Sequence, residues 1–428
     1  MERVNIITLG CDKNTVDSEQ LARQLQAGGF KVLLDAPRHQ TVTLVNTCGF
    51  INDSKLQSIE TILECIEEKK NGNIRRLIVF GCLSQRYREE LATEMPEVDA
   101  WFGVDSLPQI LEYLQADIRK GLLTERILST PPHYAYLKIS EGCNHGCAFC
   151  AIPQIRGRHT SKPMERIWEE ARILADHGVK ELILVAQDLT SYGIDLYQKR
   201  ELARLLEGLA RIPKLQWIRL HYAYPNHFPL EVLDVIRDYP NICRYLDIPI
   251  QHIDDGLLQS MKRNISGDEI RRLLHTLRER LPDMALRTSL IVGYPGENRK
   301  KFQSLLSFVE EIRFDRLGVF TYSHEENTPA YQLKDSISQI EKERRKDEIL
   351  WAQQQISLEK NREKIGKVFQ VLIDAKDASH YIGRTQYDSP DVDNTVLLSR
   401  RTNRCEIGEF YSVRITRADD FDIKGHII

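Results

Sequence analysis

The chain alternates short apolar runs with longer amphipathic stretches, and this pattern changes twice along its length. In the first 130 residues the candidate strands are apolar throughout: Val4–Leu9, Val42–Asn46, Leu77–Phe80 and Ala100–Val104. The stretches between them have helical spacing: Ser18–Ala27, Ser54–Lys70 and Leu107–Gln115. Continuously apolar strands are typical of a parallel sheet that is covered on both faces. Residues 1–130 are therefore predicted to form a doubly wound α/β domain.

A second α/β region begins after Pro131-Pro132 and is expected to end near residue 345. Its candidate strands are Ala135–Ser140, Glu181–Gln187, Gln216–Tyr222, Tyr245–Ile250, Ala285–Val292 and Arg316–Tyr322. The gaps between them are filled by helical patterns such as Met164–His177, Glu201–Ile212, Leu230–Asp238 and Gly267–Arg280. Six such units in succession predict a partial (βα)6 barrel, because a complete barrel would need eight.

The last part of the chain has a third texture. Ser336–Lys364 is dense in Glu, Lys, Arg and Gln and predicts a solvated helix, with residues 346–365 as a linker. Residues 366–428 then carry five short candidate strands: Lys367–Ile373, Tyr381–Gln386, Thr395–Ser399, Tyr411–Arg417 and Asp422–His426. Short strands separated by Gly, Asp, Asn and Pro predict a small antiparallel β-barrel.

Composition narrows the class of protein. The 428 residues include 59 Lys and Arg against 62 Asp and Glu, a net charge of −3. This balance argues against a strong sequence-independent grip on phosphate backbones, so no DNA partner is expected. No apolar run approaches the roughly 20 residues that cross a bilayer. The N-terminal residues lack the features of a signal peptide, so the expected location is the cytoplasm.

Nine cysteines are too few for a disulfide scaffold in a chain of this length, and a reducing cytosol would keep them as thiols. Three of them, Cys143, Cys147 and Cys150, form a C-x3-C-x2-C triplet directly after the first barrel strand. Three thiolates on so tight a loop can hold three irons of a cubane cluster and leave the fourth iron open. A structural zinc site would need a fourth ligand. His145 is the candidate, but it lies between two of the cysteines and would strain the loop.

A second cysteine trio is dispersed. Cys11, Cys48 and Cys82 each follow a candidate strand, with Gly10, Gly49 and Gly81 as small neighbours. The carboxyl ends of neighbouring strands in a doubly wound sheet meet at one edge, so these thiols are predicted to converge. The alternative is three unrelated buried cysteines, since free cysteine is often buried. The remaining cysteines that lack partners at ligand spacing are interpreted as structural: Cys65, Cys243 and Cys405.

The triplet loop resembles the signature of the radical S-adenosylmethionine (SAM) superfamily, and the whole chain resembles its methylthiotransferases, in the branch that modifies a ribosomal protein. Residues 366–428 resemble a TRAM domain. Segments similar to the family are Leu9–Asn14, Leu184–Asp188, His221–Pro225, Tyr245–His252 and Ile291–Glu297. One departure is Asp12, where the family usually has proline.

The resemblance implies two 4Fe–4S clusters and SAM as cofactors. The cluster on Cys143, Cys147 and Cys150 would bind SAM, whose one-electron cleavage gives a 5′-deoxyadenosyl radical. The cluster on Cys11, Cys48 and Cys82 would hold the sulfur that is methylated and inserted. The implied target is the β-carbon of an aspartate in small-subunit ribosomal protein S-twelve, free or in the ribosome. An electron donor such as flavodoxin or ferredoxin is also implied.

Other site residues are predicted from the ends of the barrel strands and from one loop. Six side chains are candidates to face SAM, although packing or a satisfied core polar group explains each equally well: Phe149, Gln187, Asp188, His221, Gln251 and Arg287. Three carboxylates in the acidic loop 387–393 are candidates to bind a basic protein substrate: Asp388, Asp391 and Asp393.

Two alternative functions are considered. A tRNA methylthiotransferase would share both clusters but should present a basic C-terminal face to phosphates. From Lys360 onward the chain carries 12 Lys and Arg against 11 Asp and Glu, which favours the protein substrate. A non-catalytic, metal-stabilised RNA-binding protein would need fully ligated metals, whereas each trio is one ligand short.

Overall fold

The computed structural model describes residues 2–37 and 42–428 of the chain. Its first unit is a five-stranded parallel sheet in the order β2-β1-β3-β4-β5. The strands are β1 (Arg3–Thr8), β2 (Lys31–Leu34), β3 (Val42–Thr47), β4 (Arg76–Gly81) and β5 (Ala100–Trp101). The helices are α1 (Asp12–Ala27), α2 (Asn52–Lys70), α3 (Cys82–Glu94) and α4 (Leu107–Tyr113). Every residue of β3 is buried, as the continuous apolar run predicted.

The second unit contains the predicted six-stranded partial barrel. Its strands are all parallel, in the order β13-β12-β11-β10-β9-β6, and the sheet stays open between β6 and β13. They are β6 (Tyr134–Lys138), β9 (Glu181–Val185), β10 (Trp217–Leu220), β11 (Ile242–Asp247), β12 (Ala285–Val292) and β13 (Arg316–Thr321). A two-stranded ribbon, β7 (Ser140–Glu141) with β8 (Thr160–Ser161), flanks the segment that carries the cysteine triplet.

This second unit also contains helices, most of which cover the outside of the barrel. They are α5 (Ile152–Arg156), α6 (Met164–Asp176), α7 (Ile194–Tyr197), α8 (Leu202–Ala210), α9 (Glu231–Asp238), α10 (Asp255–Ser260), α11 (Gly267–Arg280) and α12 (Arg299–Ile312). Their apolar faces and the strands form the largest hydrophobic core of the described chain. Helix α11 begins at Ser266 with a reciprocal capping box to Glu269, which explains why its start could be predicted from sequence.

Helix α13 (Gln339–Arg362) is not the solvated helix that its composition predicted. Ile349, Ala352 and Ile356 are buried against the barrel core. Arg345 forms an ion pair with the buried carboxylate of Glu297, with 2.7 Å between Nη1 and Oε2. The composition of α13 predicted exposure to solvent, because long charged side chains flank this buried apolar stripe on both sides.

The third unit is a closed five-stranded barrel in the order β14-β15-β16-β18-β17. The strands are β14 (Val368–Lys376), β15 (His380–Arg384), β16 (Val396–Ser399), β17 (Phe410–Ala418) and β18 (Ile423–Ile427). The pairing is antiparallel except between β16 and β18, which run parallel, so the purely antiparallel expectation was wrong at this one pair.

The small barrel docks into the inner face of the partial barrel. Leu372, Tyr387 and Phe410 pack against Trp217 and Tyr245. Buried ion pairs surround this contact: Arg219 with Glu181, Glu181 with Arg384, Arg384 with Asp374, and Arg316 with Asp388. Each of these charges has an opposite partner, so removing one partner would leave an uncompensated buried charge.

This docking corrects the prediction for the acidic loop. The Asp388 carboxylate is buried and paired with Arg316. Asp393 lies 3.4 Å from Arg287 Nε and accepts a 2.7 Å hydrogen bond from the Tyr245 hydroxyl. These two carboxylates face the barrel and cannot meet a basic substrate, whereas Asp391 is exposed. Sequence alone could not distinguish a charge that faces solvent from one that faces a buried arginine.

Within residues 2–37 and 42–428, no helix is both long enough and apolar enough to span a membrane.

Candidate active site

The dispersed trio lies at one edge of the first sheet. Cys11 immediately precedes α1, Cys48 follows β3, and Cys82 begins α3 directly after β4. Since β1, β3 and β4 are neighbours, their carboxyl ends bring the three loops together. Gly10 allows the closest approach: its φ is +90°, and a Cβ there would lie 2.6 Å from Cys48 Cβ. Only glycine fits that position.

Asn14 ties these loops together. Its Nδ2 donates to the carbonyl of Leu9 at 2.8 Å and to that of Thr47 at 3.1 Å, so one buried side chain joins the ends of β1 and β3. Its Oδ1 lies 3.7 Å from Cys82 Sγ. The amide thus contacts the backbone or side chain next to each member of the trio.

Two cysteines of this trio, Cys48 and Cys82, are buried, and Cys11 is partly buried. Burial raises the pKa of Cys82 to about 12 and raises that of Cys11 above its ordinary value, although Arg156 opposes both shifts. Burial disfavours the thiolate, and a coordinated cation is what removes the proton from such a group.

The compact trio lies on the loop between β7 and α5. Gly142, with φ +74°, opens the loop, and a Cβ there would lie 2.2 Å from the Arg158 carbonyl oxygen. The Cys143 N–H donates to the Gly157 carbonyl at 3.1 Å, and the Cys150 N–H donates to the Cys147 carbonyl at 3.0 Å. Burial raises the pKa of Cys143 to about 11 and that of Cys150 to about 12.

Tyr224 and Arg263 surround Cys147. The Cys147 Sγ lies 3.5 Å from Arg263 Nη1 and 3.8 Å from the Tyr224 hydroxyl oxygen. The Tyr224 hydroxyl donates to the Arg263 carbonyl at 3.0 Å, and the Arg263 guanidinium lies 4.2 Å from the centre of the Tyr224 ring. Both side chains are buried, so this thiol faces a fixed cation in a dry environment.

His145 has another role than the fourth ligand of a zinc site. Its Nε2 is 2.7 Å from Asp188 Oδ2, and its ring stacks on Tyr224 with 3.6 Å between centroids and 6° between planes. Burial would raise the pKa of Asp188, but hydrogen bonds from His145, Ser191 and Thr190 hold it below its ordinary value. His145 therefore braces the cysteine loop against the barrel.

The two trios lie next to each other. Ala151 and Ile155, which follow the compact trio, pack directly against Cys82 of the dispersed trio. In the same segment, Arg156 Nη2 lies 3.5 Å from Cys82 Sγ. Helix α5 thus joins the loop of one trio to a member of the other.

In the part of the chain that the structure describes, no group of three or more His, Cys, Asp or Glu side chains is arranged to hold a metal ion. The donor atoms of the two trios are nevertheless of the kind that iron–sulfur clusters take. Thiolates are the ligands that iron–sulfur clusters require, and both trios consist of thiols on glycine-bearing loops that follow strands. These residues fit such clusters chemically and topologically.

The other cysteines are placed as predicted, within packing. Cys65 is buried in the core between α2 and the first sheet. Cys243 is buried at the contact between the two barrels, and Cys405 packs against the core of the small barrel.

The weaker predictions fall at several different places. Phe149 packs with Leu257, Met261 and Tyr294 beneath the cysteine loop. The Gln187 amide donates to Glu141 Oε1 at 2.6 Å, and its own carbonyl oxygen is buried with no hydrogen-bond partner among the described residues. Gln251 has φ +72° and bridges Ser289 and Ile291 through its backbone.

Three other predicted residues are engaged by protein groups. Both oxygens of Asp188 accept hydrogen bonds, as described for His145. The His221 Nε2 shares a 2.8 Å hydrogen bond with Ser389 of the small barrel. Arg287 pairs with Asp247, with 3.2 Å between Nη1 and Oδ1, as well as with Asp393.

Sequence reasoning missed Asn14, Arg156, Tyr224 and Arg263. Asn14 and Tyr224 lie inside segments that resemble the family, so a signal for them existed. Arg156 follows Cys150 by six residues, which also makes it a candidate. Nothing near Arg263 in the sequence points to Cys147, because their contact spans 116 positions.

Comparison with known proteins agrees with this architecture. Residues 137–309 match the model of the radical SAM superfamily, residues 3–103 match an uncharacterized protein family, UPF0004, and residues 365–428 match a TRAM domain. Among solved structures, the radical SAM methyltransferase TsrM from Kitasatospora setae, bound to cobalamin and a 4Fe–4S cluster, superposes with a TM-score of 0.55. The match covers 77% of each chain at 14% sequence identity, so it shows similarity of fold alone.

Curated relatives match over almost the full chain. The ribosomal protein uS12 methylthiotransferase RimO of Christiangramia forsetii is 52% identical, covering 99% of this chain and 94% of its own length. The proteins of the same name from Flavobacterium johnsoniae and Bacteroides thetaiotaomicron are 50% and 48% identical, covering 99% and 100% of this chain and 97% and 98% of their own lengths.

The fold and the two cysteine trios together define a radical SAM enzyme that has a cysteine-bearing α/β domain before its barrel and a TRAM domain after it. Within that superfamily, the chain belongs to the family of ribosomal protein uS12 methylthiotransferases. Its cofactors are SAM and 4Fe–4S clusters.

Proposed function

We propose that this enzyme inserts a methylthio group at the β-carbon of an aspartate in small-subunit ribosomal protein uS12. The observation that carries the proposal is the adjacency of the two trios, with Cys82 packed on the helix that follows Cys150, in a chain about half identical to relatives named for this reaction. The tRNA alternative is not favoured, because these relatives are named for a ribosomal protein.

The proposed cluster ligands are Cys11, Cys48 and Cys82 in one site, and Cys143, Cys147 and Cys150 in the other. When bound, the clusters and SAM supply the electron transfer, radical and sulfur chemistry of the reaction. The protein holds the two sites side by side and keeps water away from them. Ala148 and Phe149 contribute to the second task, since they pack with Leu257 and Met261 beneath the compact loop.

The polar residues near Cys147 have positioning roles in this proposal. Arg263 places a positive charge against the thiol, and Tyr224 fixes that arginine through its hydroxyl and ring. Asp188 keeps His145 stacked on Tyr224, so the loop that carries the trio has one conformation. The unpartnered carbonyl of Gln187 is a candidate acceptor for a bound polar group.

The proposed reaction also needs an electron donor and a location in the cell. A small electron-transfer protein such as flavodoxin or ferredoxin would supply the electron, and the reaction would take place in the cytoplasm, where ribosomes are assembled. The functional units are proposed to be residues 1–130, 131–345, the linker 346–365, and 366–428. With Asp388 and Asp393 facing the barrel, only Asp391 of the predicted acidic loop remains a candidate contact for uS12.

The test compares uS12 and tRNA from cells with and without this gene, by mass spectrometry. Loss of a methylthio group from the uS12 aspartate, restored by the intact gene and by C405A but not by C82A, is the expected result. C405A is the matched control, because Cys405 packs in the small barrel away from both trios. Loss of a methylthio group from tRNA instead would overturn the proposal.

A further inference from the structure

Arg156 is a buried side chain that links the two trios through hydrogen bonds. Its guanidinium is 2% exposed and divides its contacts between two sides. Nη1 donates to Asp17 Oδ2 at 2.8 Å and to Glu141 Oε2 at 2.9 Å. Nη2 donates to Asn14 Oδ1 and lies 3.5 Å from Cys82 Sγ.

These contacts connect helix α1, Cys82 and the segment that carries the compact trio. Asp17 and Asn14 belong to α1, the helix that begins next to Cys11. Glu141 lies two residues before Cys143, and Arg156 itself ends the helix that follows Cys150. One rigid, planar group therefore fixes the position of Cys82 relative to the loop of the compact trio.

The neighbouring charges show which edge of the Arg156 guanidinium is available to the Cys82 sulfur. Lys138 also pairs with Asp17 and with Glu141, so two cations face two carboxylates. The edge of the guanidinium that is turned away from these carboxylates meets only the Asn14 amide oxygen and the Cys82 sulfur among its described hydrogen-bond partners. A lysine could not serve both edges, because its ammonium is a single point charge on a flexible stem and lacks the planar fork of the guanidinium.

We propose that Arg156 is a positioning residue for the cluster of the dispersed trio: it holds Cys82 at a set distance from the compact trio, and its guanidinium raises the reduction potential of that cluster. Hydrogen bonds to the sulfurs and nearby positive charge stabilise the reduced, more negative form of an iron–sulfur cluster. This inference rests on the proposed function only in that Cys11, Cys48 and Cys82 hold a cluster.

The test uses the full chain carrying C143A, C147A and C150A, so that only the dispersed trio can hold a cluster. This parent and its R156M and R156K variants are reconstituted anaerobically with iron and sulfide. Iron content, circular dichroism and the midpoint potential by EPR-monitored titration are then measured. We expect the potential of R156M to be more negative than that of the parent, with R156K between them because it keeps the charge but loses one edge.

The matched control is R126M in the same background. Arg126 is also fully buried and bridges the same two units, through Glu19 of α1 and Glu170 of α6, but it has no contact with a cysteine among the described residues. We expect R126M to lower the melting temperature and leave the midpoint potential unchanged.

The outcomes separate this inference from the function itself. An unchanged potential in both R156M and R156K, or an equal shift in R126M, would overturn the role of Arg156. If R156M binds no iron but keeps its fold while R126M binds iron normally, the positioning role is supported, and R156K then tests the potential. A parent that binds no iron would instead overturn the cluster site on which the proposed function depends.

Discussion

The two cysteine trios, each proposed to hold a cluster, have opposite architectures. The compact trio lies within eight consecutive residues, so local turns place its sulfurs. The dispersed trio takes one residue from each of three loops, so the packing of a whole sheet places its sulfurs. Each has one buried arginine at 3.5 Å from a thiol, Arg263 on Cys147 and Arg156 on Cys82. Arg263 comes from the same unit as its thiol, whereas Arg156 comes from the other unit, so the dispersed trio depends on the domain interface as well.

The largest expected effect separates the tasks of the trios. In the enzyme with both clusters, C82A and C147A should each reduce methylthio product more than about 10³-fold, equivalent to ~4 kcal/mol of barrier. C147A should also stop the cleavage of SAM to 5′-deoxyadenosine, because the compact trio is the proposed SAM site. C82A should still cleave SAM. Chromatography of 5′-deoxyadenosine and mass spectrometry of a uS12 peptide measure the two steps. Equal loss of SAM cleavage in both variants would remove the distinction between the trios.

A smaller effect tests how each trio is placed. G10A puts a Cβ 2.6 Å from Cys48 Cβ at φ +90°, so it should displace Cys48 and lower the iron content of the dispersed trio. The control is G146A in the compact loop, which also has positive φ, +59°, but where no atom lies within 4 Å of the added Cβ. It should cost only the backbone strain of roughly 1–2 kcal/mol. Iron analysis of each variant, made in a background lacking the other trio, gives the comparison. Equal iron loss in both would contradict the crowding argument.

The smallest effect on the trios should come from a change at the contact between the two barrels. Burial would raise the pKa of Asp388, but Arg316 and Lys364 hold it below its ordinary value, so the ionised carboxylate stabilises the fold at pH 7. D388N leaves Arg316 unpaired and should cost roughly 3–5 kcal/mol of stability. A carboxylate with a lowered pKa contributes fully above about pH 4 and loses its contribution as the pH falls further.

Thermal melting of the wild type and D388N at several pH values measures this difference. It should be largest at neutral pH and shrink as the pH falls below about 4, while iron content at pH 7 stays the same for both proteins. A difference that grows on acidification would show that the carboxylate is not stabilised as the ion pair with Arg316 indicates.

Much of the architecture could be predicted from sequence because its signals are local. The six barrel strands were recognisable as apolar runs, and helix α11 carries its own capping residues. The short edge strand β2 and helix α3 were missed. β2 has only four residues, none of them fully buried, and α3 is rich in charged and polar residues along most of its length. Both owe their structure to neighbours in the fold rather than to a strong pattern of their own.

The six thiols were predicted as two trios, but their surroundings were not. The compact trio could be recognised from the spacing of its cysteines, whereas the dispersed trio could be found only by placing each cysteine after a strand. Arg263 lies far from Cys147 in sequence, and Arg316 lies far from Asp388. Nothing in the composition of the acidic loop shows which way its carboxylates point. Ion pairs that form across a domain contact depend on docking, which local patterns do not encode.

The insertion of the small barrel into the larger one limits how this enzyme can be shortened. Removing residues after 365 would leave Arg316, Arg219 and Arg287 without Asp388, Gln386 and Asp393, so guanidinium groups would line an unfilled hollow in the catalytic unit. The C-terminal barrel is therefore an integral part of the packed enzyme and not an independent appended domain. A ribosomal protein substrate therefore meets the two barrels in their docked arrangement.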